Sequence, residues 1–64
     1  MLEKLNIKSN GITDKGSKYL RKYLGNLTSL RTLWITENNI TIVEKAKLIQ
    51  AWKDTGKNQD SLHV

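Results

Sequence analysis

LEKLNIKSNGIT, residues 2–13, and LRTLWITENNIT, residues 30–41, are one pattern written twice. Leu2, Leu5, Ile7, Asn10, Ile12 and Thr13 recur as Leu30, Leu33, Ile35, Asn38, Ile40 and Thr41, each displaced by 28 residues. The shared form is L-x-x-L-x-L-x-x-N-x-L, with isoleucine standing in for some of the leucines. Leu62-His63-Val64 opens a third copy, because Leu62 and Val64 lie 29 residues beyond Leu33 and Ile35. Self-similarity at a fixed period of about 20–50 residues marks a chain of stacked like units, none of which buries its apolar face alone.

Each unit reads as strand, tight turn, helix and return loop. Leu5 and Ile7, then Leu33 and Ile35, alternate with polar residues, the period of two expected of a strand with one buried face. Thr13 and Thr41 stand where helix N-caps belong. Thr41-x-x-Glu44 reads as a capping box, in which hydroxyl and carboxylate each satisfy a backbone amide at the helix start. The first helix is expected from Asp14 to Leu24 and the second from Ile42 to Asp54. Gly25 and Gly56 follow them at positions suited to a left-handed C-cap. The organisation is one α/β unit: repeat one over 2–29, repeat two over 30–58, and a terminal strand over 59–64.

Asn10 and Asn38 mark the point where the chain turns from strand towards helix and strands backbone amides and carbonyls inside the stack. A buried amide side chain donates through its nitrogen and accepts through its oxygen, so it satisfies both kinds of group. These asparagines are expected to form a structural ladder.

Bulk composition excludes several classes. Sixty-four residues make at most one small domain, and with no cysteine there is neither a disulfide framework nor a thiolate metal site. No apolar run approaches the roughly 20 residues of a membrane span, and the N-terminus lacks the signature of a signal peptide. The expected setting is cytoplasmic, so the acceptor patterns at Asn26-Leu27-Thr28 and Asn39-Ile40-Thr41 read as chance. The net charge is +5, from 11 basic and 6 acidic residues. Lys15, Lys18, Arg21, Lys22 and Arg31 occur with no acidic residue between them. Such a stretch could hold nucleic acid or an anionic surface, but it is expected to be the solvated face of a helix.

The 28- and 29-residue spacing, a helix after each strand and Ile-Thr-Asp-Lys-Gly at 12–16 resemble the ribonuclease-inhibitor-like leucine-rich repeats. That subclass also occurs in nucleotide-binding innate-immune receptors, Ran GTPase activators and many bacterial and protist proteins. The resemblance covers nearly the whole chain. It implies a short curved solenoid of about two repeats plus a final strand, with parallel strands on the concave side and helices on the convex side. It also implies recognition of proteins through the concave face. The chain departs from the pattern at Glu44, which stands where repeat one has Gly16, and at Trp52, which matches Leu24. The second return, Thr55 to Asp60, is polar where the first has Leu27 and Leu30. A polar last return suits a terminal repeat, so Val64 reads as a true C-terminus. Met1, by contrast, stands against the first strand with no capping element.

Aligned by the repeat, Ser17 and Arg21 match Lys45 and Ile49, while Tyr19 and Tyr23 match Lys47 and Ala51. These pairs project to opposite flanks of the core-facing line through Leu20 and Leu24. Helix one is polar on the first flank and aromatic on the second. Helix two is apolar on the first flank, where Ile42 and Ala46 join Ile49. The expectation is that the two apolar flanks meet, leaving polar flanks at both ends of a self-contained unit.

Strand residues pointing away from the core define the expected binding face: Lys4, Asn6 and Lys8, then Thr32, Trp34 and Thr36, then Ser61 and His63. Asn6, Trp34 and His63 share a repeat position and should lie side by side, with Trp34 central in a row roughly 10 Å wide. Tryptophan in such a place is suited to anchoring an interface. No enzyme is expected. His63 is the sole histidine and Ser61 its neighbour, but no carboxylate is placed to orient the imidazole. There is no phosphate-binding glycine loop and no metal-ligand spacing, so neither cofactor nor metal is expected. The reading is a non-catalytic module that binds a protein or peptide through the concave face. The alternatives are an electrostatic binder of nucleic acid or an anionic surface through helix one, and the C-terminal cap of a longer repeat receptor. A second copy of the chain, or further repeats, could pack on its open edge strand.

Overall fold

In a computed structural model, which describes residues 2–64, the repeat spacing becomes strand register. Strand β1 (Lys4–Asn6) is followed by helix α1 (Asp14–Tyr23), a 3₁₀ turn over Leu24–Asn26 and strand β2 (Thr32–Trp34). Helix α2 (Ile42–Asp54), a 3₁₀ turn over Gln59–Ser61 and strand β3 (Leu62–His63) complete the chain. The sheet is parallel in the order β1-β2-β3. Leu5 pairs with Leu33 and Asn6 with Trp34, a shift of 28; Leu33 pairs with Leu62 and Trp34 with His63, a shift of 29. The protein is therefore a small α/β domain with a three-stranded parallel sheet and two helices. The expected placement of Met1 against the first strand falls outside the described residues.

The inward residues of both repeats make one core. Leu24, Leu30, Leu33, Ile35, Ile40, Leu48, Trp52 and Leu62 are buried together, with Leu5, Ile7, Ile12, Leu20 and Val64 packed at its margins. Leu5 and Ile7 are only half-buried because β1 is an edge strand of the sheet. Trp52, at the repeat position of Leu24, is fully buried. The polar return closes over it: its indole nitrogen donates to the Asn58 carbonyl at 2.7 Å. Lys57 lies 5.6 Å from the ring centroid and donates to the Leu27 carbonyl at 2.9 Å, tying the second return to the first. A large side chain at position 52 thus supplies apolar area that the polar loop lacks.

Three local expectations are corrected. Helix α1 gives way at Leu24 to a 3₁₀ turn, so Gly25 is not a left-handed cap; Gly56, at φ +79°, is one. The capping box is half formed, since the Thr41 hydroxyl accepts from the Glu44 amide at 3.3 Å while the Glu44 carboxylate turns to helix α1. Asp14 takes over the other half. Its two oxygens accept from the Thr41 amide and hydroxyl, each at 2.7 Å, which fastens the start of α1 to the start of α2. These two bonds, the hydroxyl's first, and the nearby Lys47 charge hold the Asp14 carboxyl below its ordinary value.

The helix flanks depart furthest from expectation. The polar flank of α1, not its aromatic one, faces α2. Ser17 donates to Glu44 at 2.9 Å, and Arg21 grips the same carboxylate through Nε at 2.6 Å and its guanidinium NH2 at 3.0 Å. Tyr19 and Tyr23 are left 56% and 51% exposed, and Ile42 84% exposed; Ala46 is exposed as well. The two apolar flanks do not meet: Ile42 and Ala46 stay exposed, and Ile49 packs at the margin of the core. The physical reason is that parallel strands in chain order carry their helices forward in the same order. That order decides which flank meets the neighbour, whatever the apolarity of the flanks.

Candidate functional site

The sheet face away from the helices is built by alternation: Leu33 and Ile35 are buried, and Trp34 between them points outward, half-buried. Asn6, Trp34 and His63 stand in register across β1, β2 and β3. The indole and imidazole lie nearly parallel, with ring centroids 5.3 Å apart and planes at 9°. This stack accounts for the partial burial of Trp34, which the alternation alone had marked as exposed. It also fixes the indole with one face covered, an aromatic surface of low rotational freedom.

The rest of the face is polar. Lys4, Asn6 and Lys8 are exposed on the β1 side, and Thr32 and Thr36 are half-buried beside Trp34. The Asn6 side chain turns back to accept from the Lys8 amide at 3.2 Å. Ser61, expected on the third strand, belongs to the 3₁₀ turn before it and lines a groove of about 320 Å³ with Thr28, Arg31, Thr55 and Asn58. The row therefore unites Asn6, Trp34 and His63 and leaves Ser61 at the loop end.

Beside this face the two structural asparagines have different fates. The Asn38 oxygen accepts from the Asn10 and Ile12 amides at 2.9 and 2.8 Å. Its nitrogen faces the carbonyls of Ile7, Ile35 and Thr36 at 3.1, 2.9 and 3.1 Å. One side chain thus satisfies backbone groups of both repeats. Asn10 is exposed, and its side chain reaches the Lys8 carbonyl at 3.1 Å. The turn before each asparagine is reached through a left-handed residue, Ser9 at φ +58° and Glu37 at φ +57°, and the Ser9 hydroxyl donates to the Glu37 carboxylate. Neither residue type signals that conformation, though their 28-residue separation does.

On the helix side a groove of about 600 Å³ is lined by Lys15, Lys18, Tyr19, Arg21, Lys22 and Ala51. Sequence reasoning placed these cations on a helix but not in a groove. Arg21 is committed to Glu44, and Arg31, the last cation of the run, approaches Glu3 at 3.8 Å on the surface. Among the described residues no group of three or more His, Asp or Glu side chains could hold a metal ion. No helix among them is long and apolar enough to cross a membrane. Comparison of the chain with protein-family models, curated proteins and solved structures finds no match.

Proposed function

We propose that the chain is a non-catalytic recognition module of the leucine-rich-repeat kind, which binds an extended protein or peptide segment on the outer face of its sheet. On this reading the three-stranded sheet and two helices are about two turns of a solenoid, with the sheet on the concave side. The supporting features are the 28- and 29-residue register, the helix after each of the first two strands and the Asn38 side chain that bridges the two turns.

The observation that carries the binding reading is the Trp34–His63 stack in the middle of that face. Tryptophan anchors are enriched at interfaces because they offer a large apolar area at small cost in rotamer entropy. Here the stack removes part of that cost before any partner arrives. Half-buried threonines and exposed lysines around it supply a polar rim. Selection of peptides from a displayed library by the whole chain, repeated with Trp34→Ala and His63→Ala, tests the reading. Peptides enriched by the native chain should lose about 30-fold or more in affinity on Trp34→Ala, equivalent to about 2 kcal/mol. The fold should lose no more than about 1 kcal/mol in the same variant. Binding indifferent to Trp34, or a Trp34→Ala chain that unfolds, would remove the reading.

A further inference from the structure

Lys15, Lys18 and Lys22 project from successive turns of α1 into one groove, and Tyr19 lines that groove 56% exposed. Helical periodicity alone assigns these lysines to a solvated face, but the contacts around them argue for more. The Glu44 carboxylate of α2 is 6% exposed and held by Ser17 and Arg21. Asp14 at the head of the helix is held by Thr41. Among the described residues none of the three lysines has an ion pair or a hydrogen bond. The groove therefore keeps three uncompensated ammonium groups spread over seven residues, about 10 Å of helix.

From this arrangement we infer that the groove is a second binding site, for single-stranded nucleic acid. Charges strung along an open groove, with no converging nest of amides, suit a repeating anion better than one phosphate. A tyrosine face among them can take a base without regard to its identity, the combination that sequence-tolerant single-strand sites use. Ala51, from α2, adds a small side chain to a lining otherwise drawn from α1, which leaves room for a backbone along α1. A flat bilayer would reach the lysine tips but leave Tyr19 and the groove floor unfilled. The site lies on the helix side of the molecule, away from Trp34, so its test is independent of the sheet-face reading.

The experiment is fluorescence anisotropy of the whole chain with labelled oligothymidylate and oligouridylate of roughly 12 nucleotides, from about 50 to 200 mM salt. Binding should weaken with salt with a log–log slope near −2, about −0.7 for each of three phosphate contacts. Lys15→Gln/Lys18→Gln/Lys22→Gln should bring the slope close to zero. Tyr19→Ala should weaken binding about 5-fold or more at unchanged slope, as loss of one stacked base requires. Lys4→Gln/Lys8→Gln, on the sheet side, should leave both quantities as they are. Equal losses from the two lysine sets would overturn the proposal in favour of diffuse charge attraction. So would tighter binding to phosphatidylserine vesicles than to the oligonucleotides, or displacement of the oligonucleotide by low-millimolar inorganic phosphate.

Discussion

Arg21 and Glu44 form a two-point ion pair across the junction between the repeats, at 2.6 and 3.0 Å, with the carboxylate almost wholly buried. Their repeat counterparts are Ile49 and Gly16, so the pair belongs to this junction alone. A Cβ at Gly16 would meet the Ile12 side chain at 3.0 Å. Glycine there fits the close approach of the first turn of α1 to the preceding loop, and at the same position in α2 a charged side chain reaches across to α1.

The two halves of this pair should not be equally costly to remove. Arg21→Ala leaves a buried carboxylate with Ser17 as its one remaining partner, whereas Glu44→Ala leaves a guanidinium whose side chain is already 25% accessible. Chemical denaturation should show a loss of about 3 kcal/mol for Arg21→Ala and about 2 kcal/mol for Glu44→Ala. The double variant should cost at least 1 kcal/mol less than the sum, the mark of coupled neighbours. Additive losses would mean that the pair contributes little across the junction.

The strand register and the bridging role of Asn38 were legible in the sequence, because both follow from identical residue types at a fixed separation; the expected ladder was not found, since Asn10 is exposed with one local bond. Helix α2 was legible to its ends, since Thr41 and Gly56 punctuate it. The flank that joins the helices was not, because matching apolar with apolar ignores the order in which parallel strands carry their helices forward. A signal was present nonetheless. Glu44 breaks the repeat at a position beside the core, and a carboxylate there needs a cation; Ser17 and Arg21 are the polar pair one turn apart that could serve it. The Trp34–His63 stack was half legible: shared repeat position put the rings side by side, while the parallel ring planes depend on side-chain angles that spacing does not carry. The groove was illegible, since it exists only once both helices are placed.

Asn38→Ala should be among the most damaging single changes. It removes the acceptor for the Asn10 and Ile12 amides and the donor facing three carbonyls, most of these bonds part-buried; a buried group left unmet costs about 1–3 kcal/mol. Asn10→Ala, at an exposed position with a single local bond, should cost less than about 1 kcal/mol. Parallel urea melts of the two variants check the contrast. Similar losses would show that the ladder role is shared.

Asp14 ties the fold to pH. Its folded value is depressed, first by the Thr41 hydroxyl, then by the Thr41 amide, with help from Lys47. A depressed carboxyl stabilises the folded state above its unfolded value, 3.8, and that stabilisation is lost as pH falls through the lower folded value. Thermal melts from pH 6 downward should therefore show the native chain losing stability below about pH 4 more steeply than Asp14→Asn, whose side chain does not titrate. Parallel curves would show that the Asp14–Thr41 bonds do not distinguish the charged from the neutral acid.

The ends of the molecule should make it self-associate. Strand β1 is an edge with one side unpaired, and β3 is the other edge of the same sheet; such edges template pairing with another chain. Leu2 beside β1 is 52% exposed, and Ile42 on the outer flank of α2 is 84% exposed, so apolar area accompanies the open backbone at both ends. Lys4 and Lys8 project from the sheet face and leave the β1 edge hydrogen bonds unblocked. Sedimentation velocity across a hundredfold range of protein concentration should show a rising weight-average coefficient. Ile42→Lys and Leu2→Lys should each reduce that rise without lowering the melting temperature by more than a surface change does, about 0.5 kcal/mol in stability. A chain that stays monomeric at the highest concentration and melts independently of concentration would defeat this expectation. It would show instead that the Ser17–Glu44–Arg21 junction and the burial of Trp52 beneath the second return hold the sheet and two helices together without help from a neighbour.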